Sequence, residues 1–268
     1  MSRVRELGQF MTPEWVARAL IDRYYSGLTM CDQVVEPSCG EGAFLRALPD
    51  HVPAIGVEID ADLARRAVQS SGRVVMVGDF REIDIPVRPT LLVGNPPFNL
   101  SVVEGFLARA QRLLPRDGEV GFILPACIFQ TANTVDRIAE EWGISQEMIP
   151  RNLFPGLSQP LCFARFTRGR RGLVGFALYH EATAINRLRA RYRALLAQGE
   201  RSVWAAVTSA AMEQLGGEAS LDDLYREIEG ARPTKNRYWR AKVRQTVQVI
   251  GFRTGPGRWK LSPERMAA

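Results

Sequence analysis

The chain has 268 residues, 46% of them hydrophobic and 24% charged, with a formal net charge of +6 at pH 7. That length accommodates one large core, or one core with a small satellite domain, and the composition excludes a disordered chain. Positive charge suits a polyanionic partner, but only Lys235, Lys242 and Lys260 among the 35 basic residues are lysines, a bias that GC-rich coding also produces.

No apolar run approaches the ~20 residues of a membrane span. The N-terminus, Met1-Ser2-Arg3-Val4-Arg5-Glu6, lacks the apolar core of a secretory signal, so no membrane association and a cytoplasmic location are expected. Cys31, Cys39, Cys127 and Cys162 lack the paired spacing of a zinc site and read as free thiols, with Cys127 in the core and no metal bound.

In chain order, Thr12-Pro13-Glu14 reads first as a helix opening, with Thr12 as cap, Pro13 at the first helical position and Glu14 in the positive first turn. From Gln33 to about Ala126, apolar β-rich runs alternate with helical patterns. The runs are 33–36, 54–59, 74–78, 91–93 and 120–124. Strands separated by helices mean a parallel sheet, and continuous apolarity means both faces are covered. After Trp142 the runs are closely spaced, at 146–149, 161–167 and 173–179, and these end the sheet with an antiparallel pair.

The strand ends carry the chemistry. Glu36-Pro37-Ser38-Cys39-Gly40-Glu41-Gly42 follows the first strand and opens a helix, with Gly40 and Gly42 allowing close backbone approach to a ligand at the helix N-terminus. The G-x-G-x-x-G spacing and the phosphate-loop lysine are both missing, which disfavours nicotinamide cofactors and nucleoside triphosphates. Glu58-Ile59 ends the second strand, where a carboxylate can accept both hydroxyls of a ribose. Asp79-Phe80 ends the third, with Asp79 placed to accept from an adenine amine and Phe80 to pack on the ring. Asn95-Pro96-Pro97-Phe98 ends the fourth. Asn95 offers a side-chain carbonyl, and Pro96 a backbone carbonyl in the extended conformation that Pro97 imposes. Two acceptors aimed at one NH2 group orient its nitrogen, and Phe98 adds a flat face for a base. Charged strand ends also occur simply because such ends meet solvent.

The segment Val34–Leu45 (VVEPSCGEGAFL) resembles the S-adenosylmethionine-binding motif of class I methyltransferases. Asn95–Phe98 resembles the catalytic motif of the amino-methyltransferases acting on adenine or cytosine, with Phe98 in place of the commoner Tyr. Gly8–Leu20 (GQFMTPEWVARAL) resembles the motif that precedes the cofactor motif in adenine-N6 DNA methyltransferases whose target-recognition region lies C-terminal. The resemblance covers about residues 8 to 180. It implies a Rossmann-like α/β fold and S-adenosylmethionine as cofactor, with Phe10 and Thr12 at its methionine end and Glu36, Pro37, Cys39, Gly40, Gly42, Glu58, Ile59, Asp79, Phe80 and Asn95 around it. The implied activity is methylation of adenine N6 in DNA by base flipping and direct displacement, with Asn95, Pro96, Pro97 and Phe98 as catalytic residues. Cytosine-N4 methylation needs the same two acceptors, and RNA adenine or protein glutamine methylation shares the motif. A regulator on a retired methyltransferase fold is the non-enzymatic alternative.

Domain limits follow as 1–181 for the methyltransferase domain, 182–199 for a connecting helix and 200–268 for a small winged-helix-like DNA-recognition domain. In the last of these, helices are expected at Ser202–Leu215, after a Ser220 cap, and at Lys235–Ile250, followed by a hairpin around Thr254-Gly255-Pro256-Gly257. Lys235, Asn236, Arg237, Arg240, Lys242 and Arg244 on the third helix, with Arg258 and Lys260 on the hairpin, are the candidate DNA contacts, and Arg165–Arg171 is a second basic cluster. The same third helix also reads as the buried stripe and solvated face of any small helical domain. Double-stranded DNA is the expected partner, with a homodimer and a separate restriction endonuclease as further associations.

Overall fold

The computed structural model describes residues 10–154 and 156–262; the domain limits at 1 and 268, and Gly8 and Gln9, lie outside them. The chain divides into two compact units, Met1–Phe176 and Ala177–Ala268.

The first unit is built on an eight-stranded sheet. Helix α1 (Glu14–Tyr24) precedes β1 (Val34–Pro37), α2 (Ala43–Ala47), β2 (Ala54–Glu58), α3 (Ala61–Ser71) and β3 (Val74–Val77). Then follow β4 (Leu91–Gly94), α4 (Leu100–Leu113), β5 (Glu119–Pro125), α5 (Ala132–Ala139), β6 (Trp142–Ile149), β7 (Leu161–Arg168) and the short β8 (Leu173–Val174). The strand order is β3-β2-β1-β4-β5-β7-β6-β8. β1 to β5 are parallel, β7 runs antiparallel to both β5 and β6, and β8 runs parallel to β6. Every residue of β1 and β4 is buried, as continuous apolar runs require in a sheet covered on both sides. β3, at the edge, leaves Val74 and Val77 exposed.

Helix caps set the connections. Asp60 accepts from the amides of Asp62 and Leu63 to start α3, which ends at Gly72 with φ 67°. Asn99 accepts from Ser101 to start α4 directly after the Asn95–Phe98 motif. The order in which successive strands are added reverses between the parallel neighbours β1 and β4, so the loops after them diverge and leave a crevice at the strands' carboxyl ends.

Three expectations shift here. Thr12 makes no cap: Pro13 occupies the cap position with ψ 137° and the helix begins at Glu14. The run 173–179 yields only β8 before the chain turns, because Gly172 and Gly175 take φ values of 139° and 86°. Cys127 lies exposed on the turn after β5, its thiol 3.9 Å from the Gln159 side-chain oxygen, while Cys162 is a core thiol.

The second unit contains α6 (Tyr179–Ala197), α7 (Val203–Gln214), β9 (Glu218–Ser220), α8 (Leu221–Glu229), α9 (Trp239–Ile250), β10 (Gly251–Gly255) and β11 (Arg258–Leu261). The three strands pair antiparallel in the order β10-β11-β9. Ser202 caps α7, and Ser220 and Asp223 form a reciprocal capping box on α8. The helix expected to bridge two domains is part of this unit instead, since Leu188 and Tyr192 of α6 share one core with Val207, Leu224, Val243 and Leu261. Four buried residues on one stripe of α9, Trp239, Val243, Val247 and Ile250, anchor it, at about 1.5–3 kcal/mol for each fully buried aliphatic side chain. α9 starts four residues later than the expected Lys235. Asn236 Oδ1 accepts from the Tyr238 amide at 2.9 Å, a local turn that competes with helix, so Lys235, Asn236 and Arg237 precede α9.

Candidate active site

The carboxyl ends of β1, β2, β3 and β4 converge on two cavities. Residues of the N-terminal segment, Phe10, Met11 and Thr12, line the first together with Glu36, Ser38, Cys39, Gly40, Glu58 and Asn95. The second, of about 270 Å³, is lined by Ile59, Gly78, Asp79, Phe80, Val102 and Phe106, among others. Ser38 and Pro97 border both, so the two cavities adjoin.

The loop after β1 is shaped by left-handed residues, Ser38 at φ 56°, Gly40 at 55° and Gly42 at 78°. Glycine takes this conformation without strain, whereas Ser38 holds it at a cost of about 1 kcal/mol. Two carboxylates fasten the loop from inside. Glu58 accepts from the Gly40 amide at 2.8 Å and from the Asp60 amide at 3.0 Å. Glu36, 2% exposed, accepts from the Leu45 amide at 2.9 Å inside α2. Burial pushes its carboxyl up to about 8, against the pull of the Leu45 and Phe44 amides. Burial also raises the Cys39 thiol, which lines the first cavity at 4% exposure and reads as an inert wall.

At the second cavity Asp79 takes part in a bidentate pair with Arg81, whose Nε donates to Oδ1 at 3.0 Å, and this pairing holds the carboxyl below its usual range. The acceptor expected for an adenine amine is thus engaged by a neighbouring residue, since the Arg81 amide also donates to Oδ1 at 2.9 Å and its Nε to Oδ2 at 3.1 Å. Phe80 is buried edge-on against Phe106, ring centroids 5.0 Å apart, and contributes a wall of the cavity.

Asn95 has a well-defined orientation. Its side-chain amide donates to the Phe10 carbonyl at 2.8 Å, which assigns nitrogen and oxygen. Its Oδ1 is buried and has no hydrogen-bond partner among the described residues. No hydrogen bond among the described residues uses the Pro96 carbonyl either. Unused buried acceptors are uncommon, because each costs about 1–3 kcal/mol. Phe98 does not present two free faces, since Phe10 stacks on one at 5.6 Å and 21°.

Not every expected residue lines a cavity. Pro37 is buried in β1 and Gly42 serves as the α2 cap. Conversely Met11, Ser38, Glu41 and Arg46 line the first cavity and Asn99, Val102 and Phe106 the second, none of them anticipated. Phe106 was legible as part of the apolar stripe of α4, but nothing local marks Ser38. Among the described residues no group of three or more metal-ligating side chains comes together, and no helix is long and apolar enough to cross a membrane.

Two of the basic arginines after β5 are committed elsewhere. Arg165 pairs with both oxygens of Glu119, at 2.8 and 3.1 Å, and Glu119 also accepts from Tyr25 at 2.8 Å. Arg168 donates to the Leu114 carbonyl, and only Arg170 and Arg171 of that cluster are exposed. In the second unit Lys235, Arg237, Arg240, Lys242, Arg244, Arg258 and Lys260 are exposed and Asn236 is half-buried.

The strand order and the two-carboxylate loop can now be set beside known proteins. The M protein of the type I restriction enzyme EcoKI superposes with a TM-score of 0.51 at 15% identity, over 60% of this chain and 44% of that one. The first unit has the class I S-adenosylmethionine-dependent methyltransferase fold. In sequence, the chain is 28% identical over 173 residues to the type II methyltransferase M.CvrRI of Paramecium bursaria Chlorella virus XZ-6E, covering 56% of this chain and 45% of the relative. It is 25% identical over 209 residues to the type II methyltransferase M.TthHB8I of Thermus thermophilus, covering 63% and 47%. It is 33% identical over 131 residues to ribosomal RNA small subunit methyltransferase A of Nocardia farcinica, covering 44% and 42%. The chain therefore spans less than half the length of these relatives. No family model matches.

The residues present fit S-adenosylmethionine: an acidic side chain at the end of each of β1 and β2, a backbone turn open to close approach and an apolar cavity walled by Phe80 and Phe106 are groups of the kinds that its ammonium, ribose and adenine would need.

Proposed function

We propose that the protein methylates the exocyclic amine of a base in DNA, and that the base is adenine, methylated at N6. The orphan Oδ1 of Asn95 carries this reading: a buried carbonyl oxygen with its amide nitrogen already committed is an acceptor prepared for a donor that the chain does not supply. The Pro96 carbonyl is the second acceptor. Together they bind the two amine hydrogens and draw the nitrogen lone pair out of conjugation with the ring. S-adenosylmethionine, when bound, would supply a methyl group from its sulfonium to the amine nitrogen by direct displacement, the S–CH3 bond breaking to leave the neutral thioether S-adenosylhomocysteine and one amine proton passing to solvent. The protein adds positioning and electrostatics, with no covalent intermediate on the chain. Extruding the base costs a few kcal/mol, offset in part by stacking on the face of Phe98 that Phe10 leaves open.

The names of the two type II relatives and of the EcoKI protein favour DNA, as does the basic second unit, and a separate restriction endonuclease is a natural companion. On this reading the second unit is a winged-helix-like DNA-binding domain, with helix α9 and the β10–β11 hairpin towards the duplex. A second reading, adenine in RNA, is favoured by the ribosomal RNA methyltransferase match. Cytosine N4 offers the same amine. The full chain, incubated with S-adenosylmethionine tritiated on its methyl group and either mixed-sequence duplex DNA or total RNA, is expected to label DNA alone, in N6-methyl-2'-deoxyadenosine. Label in RNA, or in N4-methylcytosine, replaces the substrate assignment, and no label in either polymer defeats it.

A further inference from the structure

We infer that the outward face of α9 formed by Ala241, Arg244, Gln245 and Gln248 reads base edges in the major groove of duplex DNA. The inference rests on the DNA reading above and gives it a specificity surface.

The rotation of α9 is set by its buried stripe, Trp239, Val243, Val247 and Ile250. At about 100° per residue, the direction opposite that stripe falls on Ala241, Gln245 and Gln248, with Arg244 flanking them. Arg244, Gln245 and Gln248 are exposed. None of these three has a hydrogen-bond or ion-pair partner among the described residues.

The arginines around this face are used differently. Arg232 and Arg240 lie over the Trp239 ring at 5.6 and 5.5 Å, Arg240 also over Tyr225 at 5.5 Å, and Arg237 over Tyr238 at 4.7 Å. Stacked guanidiniums are preorganised and keep their N–H edges for an anion. From Arg232 to Leu261 the sequence carries nine Arg and Lys residues and neither Asp nor Glu. A helix face shaped for solubility alone normally interleaves Glu with Lys or Arg at i,i+4 spacing, and none is present here. The acid-free segment supplies phosphate contacts, which position a duplex without reading it.

The central face has another chemistry. Glutamine carries no charge to neutralise phosphate, but its amide is matched to the N6 and N7 edge of adenine, and arginine to O6 and N7 of guanine. Ala241, with its small side chain, lets the helix approach closely. From Ala241 to Gln248 the helix rises about 10 Å, enough to face about three base pairs.

Two experiments on the full chain test this. Selection from a random duplex library gives the bound motif of the wild type, of Gln245→Ala and of Gln248→Ala. Methylation mapping in a host without its own DNA methyltransferases gives the modified motif of the same three. Each variant is expected to lose discrimination at one or two adjacent A·T positions by about tenfold or more, with the rest of the motif retained. Gln245→Ser and Gln248→Ser replace any alanine variant that fails to accumulate. Lys260→Ala, in contrast, should weaken binding at all sequences alike and leave the motif intact. Identical motifs for wild type and both glutamine variants overturn the inference, as does a wild type that enriches no duplex motif or enriches only structured RNA. Motif changes in the selection without any genomic methylation uphold the inference while removing the methyl-transfer reading.

Discussion

Replacing Asn95 by alanine separates function from stability. The substitution removes one hydrogen bond, from the side-chain amide to the Phe10 carbonyl at 2.8 Å, worth about 0.5–1.5 kcal/mol. It also removes the buried, unpartnered Oδ1, whose desolvation costs the folded chain about 1–3 kcal/mol. The side chain borders a cavity, so its loss leaves no closed void. The two effects oppose each other, and the net change in unfolding free energy is expected to lie between about 0.5 kcal/mol of destabilisation and about 2.5 kcal/mol of stabilisation. On the proposed mechanism turnover should be lost, because the side-chain acceptor assigned to the amine has gone. Urea unfolding of the cofactor-free protein measures the first quantity, and tritiated methyl transfer to duplex DNA the second. A variant destabilised by more than about 2 kcal/mol would mean that Asn95 is a structural amide, and undiminished methylation would mean that the amine is held elsewhere.

Glu58→Gln places an amide N–H against one of the two backbone amides that the carboxylate now receives, at Gly40 or Asp60; S-adenosylhomocysteine binding measured by calorimetry should weaken about tenfold or more. Glu36 brings a pH dependence. Its folded pKa of about 8 lies above the ordinary 4.5, so between those values the folded chain holds a proton that the unfolded chain has released. Its contribution is full below the lower value and falls as pH rises towards the upper, by about 1.4 kcal/mol per pH unit, a slope that Glu36→Gln should remove from urea midpoints at pH 5.5 and 7.5. A Cβ at Gly56 would stand 2.8 Å from Cys39 Sγ and 2.9 Å from Leu45 Cδ1, so Gly56→Ala should cost about 1–3 kcal/mol in thermal or urea unfolding and weaken cofactor binding through the loop after β1. Arg165→Ala should lower stability by about 1–3 kcal/mol while leaving the salt dependence of DNA binding unchanged, since its guanidinium is committed to Glu119.

The parallel half of the sheet was legible because each strand is a short apolar run closed by a polar residue, and a parallel sheet brings those closing residues to one edge. Glu36, Glu58, Asp79 and Asn95 were found for this reason. What stayed hidden depends on contacts remote in sequence or on backbone angles. The Phe10 carbonyl and Asn95 meet across 85 residues. Arg81 lies two residues from Asp79, yet only the turn geometry after β3 folds its guanidinium back on the carboxylate. The later start of α9 reflects a contest between a basic helical pattern and the Asn236 turn, and the turn prevails locally. β9 has three residues, too few for an alternating pattern to register, and it becomes a strand because β11 pairs with it.

The N-terminal segment binds these observations together. Phe10 contributes its carbonyl to Asn95 and its ring to Phe98, while Met11 and Thr12 line the cavity assigned to the methionine end of the cofactor. On the proposed function a single stretch therefore touches both halves of the reaction. The direction of Oδ1 is not set by the rotamer of Asn95 alone, because an amide free to turn would present N–H or C=O with little preference. The Phe10 carbonyl removes that freedom by accepting from the nitrogen, which leaves the oxygen as the only group available to an amine. Glu58 does the equivalent for the cofactor side, spending its carboxylate on two backbone amides so that the loop after β1 is already formed. Both sites are thus preorganised by backbone groups that no single-residue motif records, and the N-terminal segment and the Asn95–Phe98 motif work together because Phe10 supplies a main-chain acceptor to one residue and a ring to the other.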